Sequence, residues 1–363
     1  MSEDESGHTR FPGPLPRPRP ELPEPPAVDG FEDDTASLRL DLPAEPHDTP
    51  DRDGLRIGLW GSQESGKTTF LGALRLAMFN TASTYGRWQV IASDDASERF
   101  MVETSRLLSV ERKFPEATQS AVEFSWRFLG DLAGSPYAQR RRLFARPRPG
   151  ADEMQFLLTM LDVGGGTYED LNEDLEARRS TDHLAASAGL VYLFDPIREA
   201  SEGKSFAYLN GTLARLTRKA LKDGRLEGPY LPQHISVCLT KFDDPEVFER
   251  ARRGGWTDEG PHGTPVVPDP EGFFDWLAKD LHGGTMQQVG EALRASFHPS
   301  RIRFFATSSI GFGTSPAGGV DLGRFGNVDE SDGTQQIIGP VRPHNVMEPV
   351  ISLLVGLRKQ GRA

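Results

Sequence analysis

The octapeptide Gly61-Ser62-Gln63-Glu64-Ser65-Gly66-Lys67-Thr68 has the residue types and spacing needed to hold phosphate groups. Glycines at both ends let the backbone wrap closely around anionic oxygens. Lys67 places positive charge among them, and the Thr68 hydroxyl follows where a divalent cation would sit. The apolar run Leu55–Trp60 precedes the loop, and Thr69 leads into the helical pattern Phe70-Leu71-Gly72-Ala73-Leu74. The loop therefore joins a strand to a helix, whose N-terminus adds its own positive potential. A glycine- and serine-rich turn is the bland alternative, and the flanking pattern argues against it.

Three further sets of residues stand at the ends of apolar runs. Asp162-Val163-Gly164-Gly165-Gly166 follows Phe156–Leu161. An acid at that strand end is positioned to bind magnesium through water, with the Gly165 amide free to meet a γ-phosphate. Thr240-Lys241-Phe242-Asp243 follows Ile235–Leu239. Asp243 there can accept from the N1–H and exocyclic amine of guanine, a donor pair that adenine lacks, while the Lys241 stem lies along the base. Thr307-Ser308-Ser309 follows Arg301–Ala306, with small residues that let backbone amides approach the guanine oxygen. Each set read alone is also compatible with a turn after a buried strand; their value lies in their order.

From Leu55 onward short apolar runs alternate with longer helical stretches, the signature of an α/β fold with a largely parallel sheet. Strands are expected at 55–60, 121–129, 153–161, 189–194, 234–240 and 301–306. Helices are expected at 68–79, 168–187, 204–222, 273–281, 286–297 and 347–357. The runs at 121–129 and 153–161 follow one another without a helical spacer and read as an antiparallel hairpin. The expected architecture is a three-layer domain over residues 54–360, mostly parallel with one antiparallel edge strand. Insertions are expected near 130–152, 245–300 and 311–345.

Four motifs in this order at successive strand ends resemble the translation-factor-related, Ras-like P-loop GTPases. The resemblance implies a nucleotide site formed by Gly61, Ser62, Gln63, Glu64, Ser65, Gly66, Lys67, Thr68 and Thr69 with Thr240, Lys241, Asp243, Ser308 and Ser309. It implies Mg2+ as cofactor, on Thr68 and Asp162, and GTP or GDP as ligand. A threonine of a mobile first switch is also implied, and Thr118 has the family's spacing before the strand at 121, with Thr104 as its rival. The Phe114-Pro115-Glu116-Ala117-Thr118 switch, the triple glycine and the closing Asn345-Val346-Met347-Glu348-Pro349 segment resemble more narrowly a bacterial double-GTPase group proposed for signalling or conflict systems.

The chain also departs from that pattern. Gly166 stands where Ras-like enzymes place the glutamine that orients attacking water, so slow intrinsic hydrolysis is expected. Gln63, at a loop position facing the γ-phosphate, is the substitute within the chain, giving Gln63, Lys67 and Gly165 as the catalytic candidates. Glu64 beside phosphate is repelled unless a cation intervenes or it points to solvent, and the outward orientation is expected. The expected function is a GTP-binding switch with slow hydrolysis; a non-hydrolysing GTP-dependent scaffold and a P-loop ATPase are the alternatives. Expected partners are GTP, a protein effector or activator, and a second copy or another GTPase.

Charge and composition bound the rest. Residues 1–53 hold roughly fourteen acids, five arginines and eleven prolines, so about −9 of the net −12 lies there. Such a segment cannot offset the ordering entropy of a packed core and is expected to be a disordered tail. The remainder has no strongly basic face, which argues against general nucleic-acid affinity. Gln139–Arg148 is a local basic run, expected as a solvated hairpin tip, with an acidic partner, a membrane surface or a neighbouring active site served by an arginine finger as the alternatives; Arg178 and Arg179 are a similar, weaker candidate. A lone cysteine, Cys238, excludes an internal disulfide. An acidic start and no apolar run near the roughly 18 residues of a span lead to a cytoplasmic expectation.

Overall fold

Seven strands form one sheet, and their order explains how motifs far apart in sequence come to share an edge. A computed structural model of the chain describes residues 55–80, 86–116, 122–133, 135–138, 152–162, 172–281, 284–315, 319–330 and 333–361. The tail, Thr118, Val163–Gly166 and the basic run at 139–148 lie outside the described residues.

The strands are Leu55–Gly61 (β1), Arg87–Ala92 (β2), Val122–Asp131 (β3), Glu153–Asp162 (β4), Gly189–Phe194 (β5), His234–Leu239 (β6) and Ile302–Ala306 (β7). Their order is β2-β3-β4-β1-β5-β6-β7. From β4 to β7 all neighbours are parallel, with β1 lying between β4 and β5. This is an α/β fold compatible with a P-loop domain.

β5 and β6 are buried along their whole length, as strands covered on both faces must be. Side-chain alternation divides β5 between two cores: Leu190, Tyr192 and Phe194 face one, Val191 and Leu193 the other. One face is covered by Lys67–Asn80 (α1), Asp95–Arg106 (α2) and, from the far end of the chain, the helix Met347–Lys359. The opposite face receives Asn172–Ala185 (α3), Pro196–Glu202 (α4), Lys204–Lys222 (α5), Pro245–Arg253 (α6), Pro270–Asp280 (α7) and Gly284–Ser296 (α8). The 347–359 helix is α9. Cys238 is buried, and burial pushes its thiol well above the usual range.

The hairpin expected from 121–129 and 153–161 is present as β3 and β4. Its expected place at the sheet's edge is corrected: β2 pairs antiparallel with β3 and covers its outer side, so the antiparallel strand is internal. The physical reason is the ten-residue length of β3, which would leave a long row of unpaired backbone groups as an edge. β2 has only six residues, half-buried at alternate positions, a short signal at a rim. It leads into α2, capped by Asp94, which accepts from Ser97 N–H at 2.7 Å. Phe100 of α2 stacks on Phe124 of β3 at 4.1 Å and so ties this unit to the sheet.

The 245–300 stretch contains α6, α7 and α8, and Phe273, Phe274 and Leu277 are buried in the core. The 311–345 stretch carries a small hairpin, Val328–Asp329 (β8) with Gln336–Ile337 (β9). Among the described residues no helix is long and apolar enough to cross a membrane.

Candidate nucleotide site

The parallel strands β1, β4, β5, β6 and β7 all end on one edge of the sheet, where open α/β sheets bind ligands. The 61–68 loop leaves β1 and enters α1 at Lys67. Ser65 N–H donates to Ser62 O at 3.2 Å and Phe70 N–H to Gly66 O at 2.8 Å, closing the loop on itself. Its glycines serve different ends. A Cβ on Gly61 would stand 2.7 Å from the Leu193 carbonyl, so that position is closed by close approach. Gly66 has φ +90, a backbone that L residues rarely adopt. Lys67 Nζ donates to Gly61 O at 3.2 Å and Ser62 O at 3.0 Å, which lays the ammonium across the mouth of the loop.

Beyond β6, Thr240 donates from its hydroxyl to Phe194 O at 3.1 Å, and Phe242 N–H donates to Thr307 O at 3.0 Å. These bonds draw the β5, β6 and β7 ends together. Lys241 adopts φ +57, uncommon for a residue with a side chain. Asp243 is buried, and burial pushes its carboxyl up to about 6. The Ser308 hydroxyl bonds this carboxylate and at the same time accepts from Gly311 N–H at 2.7 Å. With its lone pair so used, the hydroxyl has its proton free for Asp243.

These parts border one cavity of about 780 Å³, within the size range of small-ligand sites. Its walls include Gln63, Glu64, Ser65, Gly66, Lys67, Thr68 and Thr69 together with Thr240, Lys241, Asp243 and Ser309. Phe114, Pro115 and Glu116, the start of the expected first switch, also line it. Gly61, Ser62 and Ser308 are buried behind these walls rather than on them. Gln63 is exposed and lines the cavity.

Glu64 is half-exposed, as expected, but it is also ion-paired to Arg198. Thr104 lies within α2, buried, its hydroxyl donating to Phe100 O at 2.6 Å, and so takes no part in the cavity. Its rival Thr118 and the catalytic candidate Gly165 fall outside the described residues, as does the side chain of Asp162. The backbone of Asp162 is placed: it and Gly61 each stand two residues beyond the paired Met160 and Leu59. Arg178 and Arg179 are exposed on α3.

Among the described residues the cavity carries six carboxylates, Glu64, Glu116, Asp243, Asp244, Glu246 and Glu330, against two lysines. A polyphosphate entering it therefore needs a cation as counter-charge. Thr68 and Asp162 would offer oxygen donors from adjacent strand ends, the donor type that suits magnesium. Among the described residues no group of three His, Cys, Asp or Glu side chains can hold a metal on protein ligands alone. A magnesium ion that takes its remaining ligands from phosphate and water needs fewer.

Part of the site was not legible beforehand. Gly326, Asn327, Val328, Glu330 and Gln335 supply a wall of the cavity from the 311–345 stretch. Buried Asn327 fixes this wall: its amide donates to Ile310 O at 3.3 Å, and its carbonyl accepts from Gly339 N–H at 2.8 Å. Arg112 donates to Ile338 O at 2.8 Å and Lys113 bridges Gln336, so the wall is also tied to the segment before Phe114. A π-helical turn at Leu107–Glu111, ending in Arg112 at φ +57, aims that segment. Asp195 and Arg198, at the end of β5, were also missed. An acid directly after a wholly apolar strand was the available signal.

The raised pKa of Asp243 yields a pH prediction. The folded value lies above the ordinary 3.8, so between about 4 and 6 the folded protein holds a proton here that the unfolded chain does not. Stability from this group is present at low pH and is lost as pH rises through about 6. Recognition of guanine by this carboxylate would have the opposite sign, because it would need the charged form. GTP affinity would then fall about tenfold per pH unit below about 6, in excess of the slope shown by Asp243→Asn. Calorimetric titrations of both proteins from pH 5 to 7.5 measure the difference; equal slopes would remove Asp243 from the base contact.

No sequence-family model matches the chain, and no curated protein matches it. Among solved structures the chain is similar to one described as the signal recognition particle receptor SRb-GTP/SRX complex from Chaetomium thermophilum. The identity is 13% over 73% of this chain and 94% of that one, with a TM-score of 0.35. At that score the fold stands on its own sheet order, and the site on its own residues.

Proposed function

We propose that the chain binds magnesium–GTP and acts as a switch with slow GTP hydrolysis. The observation that carries this reading is the shared cavity, in which the phosphate loop and Asp243 face the same space. Lys67 and the loop amides bind the phosphates, Thr68 and Asp162 hold magnesium, and Lys241, Asp243 and Ser309 receive guanine. Magnesium, when bound, neutralises charge on the outer phosphates. Thr118 and Gly165 are the groups by which the γ-phosphate would order two switch segments, and its loss would release them. Gln63 is placed to orient attacking water, in the absence of a glutamine at Gly166.

A second reading, a GTP-dependent scaffold without turnover, is favoured by Gly166 itself. An ATPase on the same loop is disfavoured by Asp243. The narrower resemblance extends the proposal to a bacterial signalling or conflict system in which this chain pairs with a second copy or another GTPase. Titration of purified protein with GTP and ATP in magnesium, followed by single-turnover hydrolysis, separates these readings. GTP is expected to bind at least about tenfold more tightly than ATP, from the donor pair that only guanine presents. Tighter ATP binding would sink the base assignment. Hydrolysis no faster than that of free GTP in buffer would leave the scaffold.

A further inference from the structure

In the sheet β5 runs between β1, which ends in the phosphate loop, and β6, which ends in the Thr240–Asp243 motif. The turn that leaves β5 therefore lies between the two halves of the cavity. Its sequence is Phe194-Asp195-Pro196-Ile197-Arg198, and its two charged side chains reach one half each.

Asp195 is wholly buried. One carboxylate oxygen accepts from Ile197 N–H and Arg198 N–H, each at 3.1 Å, and so caps α4. The other stands 2.7 Å from Lys241 Nζ, as an ion pair rather than an aligned hydrogen bond. Lys241 is the residue held at φ +57, so both its backbone and its ammonium are constrained. On the other side Arg198, in the first turn of α4, pairs with the Glu64 carboxylate of the phosphate loop. Its guanidinium also pairs with Glu202 at 3.0 Å and lies 3.5 Å from Gln63 O.

We propose that the β5–α4 turn is a positioning element for both halves of the nucleotide site: Asp195 fixes the base-side lysine, and Arg198 neutralises the acid in the phosphate loop. Neither side chain needs to touch the nucleotide. An acid in a loop that wraps a polyanion raises the free energy of the bound state unless a cation stands beside it. Arg198 is that cation, held in place by a helix whose cap is Asp195. The cap and the lysine's counter-ion are one carboxylate, so the two halves of the cavity are set by a single side chain. This inference rests on the nucleotide-binding reading above.

The test uses the full chain, with fluorescent GDP and GTP, and follows dissociation rate, affinity and thermal melting. Asp195→Asn retains a helix cap, because asparagine caps as well as aspartate, and removes only the charge facing Lys241. Lys241 is half-exposed and can be solvated when unpaired, so melting should stay within a few degrees of the parent. GDP should leave about tenfold faster, the scale of one lost charge-assisted contact, with the GTP-to-ATP preference kept because Asp243 is intact. An unchanged release rate would overturn the role of Asp195.

Arg198→Ala should weaken GTP about tenfold, and Glu64→Gln combined with Arg198→Ala should restore affinity to within about threefold of the parent. Equal losses in both backgrounds would show that Arg198 does not act through Glu64 and would overturn its role. Should Asp195→Asn fail to fold, the Glu64 and Arg198 cycle still decides the phosphate side. A parent protein that binds GTP while every variant matches it overturns this inference alone; a parent that binds neither GTP nor ATP overturns the nucleotide reading and this one with it.

Discussion

Asp243→Asn is expected to weaken GTP binding by about a hundredfold and to bring xanthosine triphosphate to comparable or better affinity than GTP. The magnitude follows from a bidentate base contact, worth roughly 1–3 kcal/mol, made by a charged acceptor in a desolvated site. Asp243 is buried, and its carboxyl is pushed up to about 6 because desolvation disfavours the charge. Two donors on guanine would relieve that cost, so discrimination and affinity come from the same atoms. An asparagine amide presents one acceptor and one donor. Guanine then meets its exocyclic amine with an amide N–H, whereas xanthine offers a carbonyl there and restores the match. The Ser308 hydroxyl can donate to the amide oxygen as it does to the carboxylate, and the desolvated charge is gone, so melting of the free protein at neutral pH should not fall. Competition binding with GTP, ATP and xanthosine triphosphate measures all of this. If selectivity is unchanged, the base lies elsewhere in the cavity.

The parts of the fold read correctly from sequence are those whose local pattern is also their tertiary role. β5 is wholly buried, and a continuous apolar run of six residues announces that; β6 is buried as fully, although His234 and Ser236 interrupt its apolar pattern. α5 was placed to the residue at Lys204–Lys222, because its apolar spacing matches the face it buries. β2 and α2 were missed for the opposite reason. β2 owes its existence to the free edge of β3, a requirement expressed in another strand's length, and α2 is held by Phe100 and the Asp94 cap rather than by a broad apolar stripe.

The site divides in the same way. Gly61, Gly66 and Lys67 were legible because the loop's chemistry is written in consecutive residues. Asp243 was legible because it follows a strand already recognised. Glu330 and Gln335 were not, since they reach the cavity through a two-residue hairpin and one buried asparagine. Arg198 was invisible for a different reason. The sequence posed the question of what neutralises Glu64, but the answer lies 134 residues away and needs the sheet order to be found.

Lys67→Ala should reduce affinity for both GTP and GDP by a hundredfold or more, larger than any other single change in the loop. Charge-assisted hydrogen bonds are worth about 1.5–3 kcal/mol each, and an ammonium between two phosphates makes at least two of them. The cavity sharpens the loss, because among the described residues six carboxylates line it against two lysines, and Lys241 is already committed to Asp195. Stability of the free protein should hardly move. Lys67 donates to the Gly61 and Ser62 carbonyls, which water can satisfy, while the Ser65–Ser62 and Phe70–Gly66 backbone bonds stay in place. Lys67→Arg should not rescue binding, since the planar guanidinium is larger than the ammonium that these two carbonyls hold at 3.0 and 3.2 Å. Equilibrium titration with fluorescent GTP, alongside a melting curve, tests both statements. Affinity within threefold of the parent would mean that the loop between β1 and α1 is not where the phosphates bind, whatever the base site selects.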